Sequence, residues 1–97
     1  MKKNFKFTAK VWRYPAQAAW YFVYVADEVT EVIKKIKNKK RVGFGFIPIE
    51  ATVGKTTWQT SLFPTKEGPY LIAIKAMIRR KEGIDDGDKI EVRFKIL

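Results

Sequence analysis

The chain contains no cysteine and no histidine among its 97 residues, and its single serine is Ser61. Without cysteine there is no disulfide, no thiolate metal ligand and no thiol nucleophile. Without histidine the commonest general base and metal ligand is gone. Ser61 therefore has no imidazole to activate it, and a hydroxyl inside a strand ordinarily satisfies a backbone group. Acid–base chemistry would rest on Glu, Asp, Lys or Tyr alone. The residues imply no catalytic set, no cofactor and no metal, so the chain reads as a binding protein rather than an enzyme. Long apolar runs are also missing. Lys2, Lys3, Lys6 and Lys10 interrupt the N-terminal residues, where a signal peptide needs about 7–15 apolar positions. No stretch approaches the roughly 20 residues of a membrane helix. The expectation is one cytoplasmic domain over residues 1–97, without a membrane partner, as a monomer or weak homodimer.

Negative charge is scarce as well. Twenty Lys and Arg stand against ten Asp and Glu, a net charge of +10, and no acid precedes Asp27. Six cations, Lys34, Lys35, Lys37, Lys39, Lys40 and Arg41, fall in one acid-free block. Such density suits a polyanion such as nucleic acid. Surface lysines also keep a small protein soluble, and cations at a helix C-terminus are stabilised there without any ligand. The polyanion-binding candidates are that block together with Arg79, Arg80 and Lys81.

What is present is strand periodicity. Phe5, Phe7, Ala9 and Val11 alternate with Lys6, Thr8 and Lys10, which predicts a half-buried strand over residues 5–13. Residues 20–25 read as a second strand. Asp27 is a suitable N-cap for a helix in which Val29, Val32, Ile33 and Ile36 share a face. Residues 46–53 form a third strand, and Pro48, having no N–H, predicts an edge or a bulge there. Gly54 and Lys55 make a hairpin turn into residues 56–63. After a loop, residues 70–74 are a strand and 75–82 a short helix with Met77 and Ile78 inward. Gly83 fits the left-handed position after that helix. Ile90, Val92, Phe94 and Ile96 then alternate with Lys89, Glu91, Arg93 and Lys95 in a final strand. Strand–helix–strand beginning at Tyr21 is echoed by strand–helix–strand beginning at Tyr70. Two such halves could close one barrel about a pseudo-two-fold axis, which would remove exposed strand edges.

Several strings resemble one family over nearly the whole chain. They are Phe5 to Trp12, Trp20 to Val23, Gly43 to Gly54, Thr57 to Pro64 and Tyr70 to Ala76, in that order. Together they look like the bacterial and archaeal family called domain of unknown function 1905. The resemblance implies a mainly β fold, a small closed double-split β-barrel with two short helices and a single-chain pseudo-two-fold. That fold is shared with dimeric DNA-binding regulators and addiction antidotes, whose closing strand is similar to residues 84–92 here. The family carries no activity that can be assigned to particular residues, and fold alone does not fix function.

Apparent motifs dissolve on inspection. Gly54-Lys55-Thr56 imitates the end of a phosphate loop, but Ile49 stands where the first Gly should be and a strand follows. In Gly43-Phe44-Gly45 a dinucleotide fingerprint fails at Pro48. Asp85, Asp86 and Asp88 fit turn chemistry better than a calcium loop. Glu50 is conspicuous in an otherwise apolar strand, yet a strand with one solvated face accommodates it. Trp12, Trp20 and Trp58, with Glu50 and Ser61, are the candidates for an aromatic ligand cleft. Two binding classes stay open: nucleic acid on the basic surface, or a small ligand or protein at that cleft.

Overall fold

The computed structural model describes residues 4–15, 20–36 and 45–97. Among these residues seven strands and two helices follow one another as β1 (Asn4–Lys10), β2 (Trp12–Arg13), β3 (Tyr21–Tyr24), α1 (Asp27–Lys34), β4 (Ile47–Val53), β5 (Thr56–Leu62), β6 (Leu71–Ala73), α2 (Ala76–Glu82) and β7 (Lys89–Ile96). They make a four-stranded sheet, β1-β7-β4-β5, and a three-stranded sheet, β2-β3-β6, with every pairing antiparallel. One continuous core lies between them, with Ile47, Ile49, Val92, Val23, Ile72, Ile33 and Ile78 all fully or almost fully buried. The fold is mainly β with two short helices, as expected.

The expected closed barrel is not what the hydrogen bonds draw: both sheets are open. At one seam β1 breaks at Val11, whose N–H donates to the Asp88 carbonyl (2.8 Å) and whose carbonyl accepts from Gly87 (2.7 Å). Val11 is thereby tied to the turn at residues 85–88 instead of a strand. At the other seam β5 and β6 meet in a single bridge, Phe63 to Leu71. Pro64 follows at once and has no N–H with which to extend it.

Exchanging residues 4–53 with residues 56–96 leaves the arrangement of strands unchanged. β3 pairs antiparallel with β6, and β4 with β7. The outer strands β1 and β5 take equivalent places in the order β1-β7-β4-β5. α1 rests against β1 and α2 against β5. The Phe63–Leu71 bridge occupies the place that the Trp12–Phe22 pair holds in the first half.

Alternation decides the faces of the larger sheet. Across its four strands Phe5, Phe94, Ala51 and Trp58 make one inward row. The small Ala51 leaves room for the large rings on either side. Pro48 is not on an edge, because β4 runs between β7 and β5. It is tolerated because the ladder with β7 starts only at Ile49. A residue directs its N–H and C=O to the same neighbouring strand. The Pro48 carbonyl accepts from Leu97 (3.1 Å), so the missing donor faces Leu97, one position outside that ladder.

The helices differ from the sequence reading in detail. Asp27 is the first residue of α1 and not its cap; Ala26 holds that place with no side-chain bond. Asp27 and Glu28 therefore act only through the dipole. Thr30 is buried beside Ile33 and donates to the Val25 carbonyl (3.3 Å), while Val32 is exposed. In α2 Ile78 is buried but Met77 points outward. Gly83 is left-handed (φ 65°), as the sequence predicts. Among the described residues, no helix is long and apolar enough to cross a membrane.

Candidate nucleic-acid interface

The residues opposite the core on the four-stranded sheet form two polar rows across it and parts of two more. Lys6, Arg93, Thr52 and Thr57 lie side by side across the four strands. Asn4, Lys95, Glu50 and Gln59 form the next row. Further along β1 and β7, Thr8 faces Glu91 and Lys10 faces Lys89. Among the described residues, five cations thus share this face with two carboxylates, Glu50 and Glu91.

Two of the cross-strand pairs, Lys6–Arg93 and Lys10–Lys89, place like charges directly opposite each other. Such pairs destabilise a sheet, where an opposite-charge or Thr–Thr pair would stabilise it. Thr52 and Thr57 supply the contrast, with their hydroxyls 2.8 Å apart. Lys95 is partly neutralised by Glu50 (3.4 Å), and Arg93 donates to the Gly54 carbonyl (3.0 Å). Lys6, Lys10 and Lys89 are exposed. A depression of about 480 Å³ opens on this face, with Asn4, Lys6, Glu50, Thr52, Arg93 and Lys95 among its lining residues. The sequence shows these cations at outward positions. It does not show that the first and last strands are neighbours, and that adjacency is what doubles the charge.

The cations singled out from the sequence are more scattered. Lys37, Lys39, Lys40 and Arg41 lie outside the described residues. Lys34 and Lys35 are exposed at the end of α1, and Arg80 and Lys81 at the end of α2. The first pair sits on the helix that packs on β1 and the second on the helix that packs on β5. Arg79 is half-buried and already engaged. Its Nη1 donates to the Ile74 carbonyl (2.6 Å), and its guanidinium lies 3.7 Å from the centre of the Tyr21 ring.

The five residues of the expected aromatic cleft are likewise not brought together. Trp58 is in the core (8% exposed), where its Nε1 has no hydrogen-bond partner among the described residues. Glu50 and Ser61 stand on the polar face of the four-stranded sheet. Trp12 and Trp20 belong to a different surface, the outer side of the three-stranded sheet. There Trp12 packs on Phe22 and Tyr24 (5.2 Å between centroids in each case), and Trp20 stacks on Phe22 (6.0 Å, 8°). Tyr14 meets Phe22 edge-on. A depression of about 340 Å³ lies among Tyr14, Trp20, Phe22, Phe63 and Leu71.

Asp85, Asp86 and Asp88 perform turn chemistry. The Asp85 N–H donates to the Asp88 carboxylate (2.8 Å), and the Arg13 N–H to that of Asp86 (3.2 Å). Among the described residues no group of His, Cys, Asp and Glu could hold a metal ion. Gly54-Lys55 is a hairpin turn, fastened to α2 by Glu82, which accepts from the Thr56 hydroxyl (2.6 Å) and the Lys55 N–H (3.3 Å).

The family model described as Domain of unknown function (DUF1905) matches residues 7–94, nearly the whole chain. No curated protein matches it.

Proposed function

The chain belongs to the DUF1905 family, and from that premise we propose that it is a nucleic-acid-binding module, not an enzyme, which holds a duplex backbone on the outer face of its four-stranded sheet. One observation carries this reading: the like-charge pairs Lys6–Arg93 and Lys10–Lys89 in register on adjacent strands. A polyanion bound on this face relieves that repulsion. The pairs are four residues apart, about 14 Å at the usual rise of a strand. The major groove of duplex DNA is about 12 Å wide. Each cation of a pair can therefore meet its own phosphate, with one pair on each rim of the groove. The face offers hydroxyls and amides beside its cations, groups that bond phosphate and sugar and fix position without reading sequence. We read the two open sheets as the halves of one double-split barrel, with β1 running into β2 at one seam and the Phe63–Leu71 bridge marking the other.

The test is fluorescence polarisation with a labelled duplex of mixed sequence. If about four phosphates are neutralised, affinity falls on the order of 100-fold between 50 and 200 mM salt. The double variant Lys10→Gln, Lys89→Gln lowers affinity for all sequences alike and makes the salt slope shallower by about 2. Absence of binding at 50 mM salt, or an unchanged slope in that variant, overturns the proposal.

A further inference from the structure

Two features singled out separately in the sequence, an exposed tryptophan and an arginine of α2, meet in the structure at a place distinct from the polar face. Trp20, Tyr21, Ala73, Ile74, Lys75 and Arg79 line a groove of about 220 Å³, and no carboxylate is among its described lining residues. Trp20 is 51% exposed while its ring is stacked on Phe22. It is thus held in orientation and still open to solvent. Arg79 is held as firmly, between the Tyr21 ring and the Ile74 carbonyl. A guanidinium carries five N–H donors, and the bond to Ile74 uses one. Arg79 also borders an adjoining depression of about 380 Å³, with Arg80 and Asp85 on its wall; Asp85 is not among the residues that line the groove itself. Lys75 is exposed at the start of α2. The groove therefore joins an oriented aromatic plane to cations that no carboxylate in it neutralises.

From this we infer that the groove is a binding site for a single unpaired nucleotide, its base stacked on Trp20 and its phosphate held by Arg79 and Lys75. A planar base matches an indole face, and base–aromatic stacking is strong enough to hold one nucleotide. Arginine over an aromatic ring presents its fork in a fixed plane, and a phosphate accepts from such a fork in two parallel bonds. An uncharged aromatic ligand would leave the cations unused, and a bare phosphate would leave Trp20 unused. A nucleotide uses both.

The probe is adenosine monophosphate, titrated while indole fluorescence is excited at the red edge, where adenine does not absorb. Trp12 is half-buried and Trp58 buried, so a saturable quench reports chiefly on Trp20. Saturable quenching is expected, lost in Trp20→Phe, with adenosine and ribose 5-phosphate each binding much more weakly. Removing one charge-assisted bond in Lys75→Gln weakens binding about tenfold. Arg79 also serves the fold, so Lys75→Gln is the decisive variant, and its melting curve should match that of the parent. No saturable quench, a quench that persists in Trp20→Phe, adenosine binding as tightly as the nucleotide, or unchanged affinity in Lys75→Gln overturns the inference. A mononucleotide has no duplex backbone and the duplex test leaves Trp20 and Lys75 intact, so each reading can fail while the other stands.

Discussion

On the four-stranded sheet the outward positions are Lys6, Lys10, Lys89, Arg93 and Lys95, broken by threonines and two carboxylates. On the three-stranded sheet they are Trp12, Phe22 and Tyr24, with Tyr14 and Trp20 beside them. Both sheets press aliphatic side chains into the same core, so the contrast is confined to the outside. It shows what each face has to settle with water. A lysine row is well solvated but repels itself, whereas an aromatic row does not repel but leaves apolar surface wet. Tyr14, Trp20 and Tyr24 are between 42% and 51% exposed. Contiguous exposed apolar surface of this kind marks an interaction site more often than scattered single residues do.

The largest effect tests whether the two sheets share one core. Ile49 in β4 and Ile72 in β6 are both fully buried. Truncating either to Ala should cost about 2–5 kcal/mol. Each should lower the midpoint of one common transition, followed by far-ultraviolet circular dichroism and by tryptophan fluorescence. Two separated transitions in either variant would mean that the sheets are independent units, and the contrast between their faces would then be one between two domains.

How much of this was legible in the sequence depends on the range of the interaction. Period-2 alternation found the long strands, the Gly54-Lys55 hairpin and the inward and outward sides of β7. Gly83 was legible because only a residue without a Cβ takes a positive φ there freely. These are properties of a few consecutive residues. The position of Trp58 was not legible, because the space that buries it is made by Ala51 across the ladder, on another strand. Neither was the break at Val11, which is set by a turn more than 70 residues later. The grouping of Trp12, Trp20, Glu50, Trp58 and Ser61 was not legible for the same reason: the fold divides them between the core, the polar face and the outer side of the three-stranded sheet. The Lys6–Arg93 and Lys10–Lys89 pairs exist only through the β1–β7 register, which nothing local encodes.

A smaller effect separates stability from binding on the polar face. Lys10→Glu turns the repulsive pair with Lys89 into an attractive one. A cross-strand charge pair changes stability by about 0.2–1 kcal/mol, so this variant should melt slightly higher than the parent. It should also lose duplex affinity, having exchanged a phosphate contact for a repulsive carboxylate. Opposite signs in the two measurements are the signature of a face kept for a ligand. Loss of stability together with unchanged polarisation would mean instead that Lys10 serves the fold.

The smallest effect concerns Glu50, the residue whose place in an apolar strand first drew notice. It meets Lys95 at 3.4 Å on the same face, with the two side chains 35% and 41% exposed respectively. A pair this open to water contributes between about zero and 1 kcal/mol, and salt screens it further. Glu50→Gln should therefore leave the melting temperature nearly unchanged. It removes one of the two carboxylates among five cations, so duplex affinity at low salt should rise and the gain should shrink as salt is added. If binding instead falls, Glu50 positions Lys95 for the ligand, and the pair is a part of the interface rather than a local check on its charge.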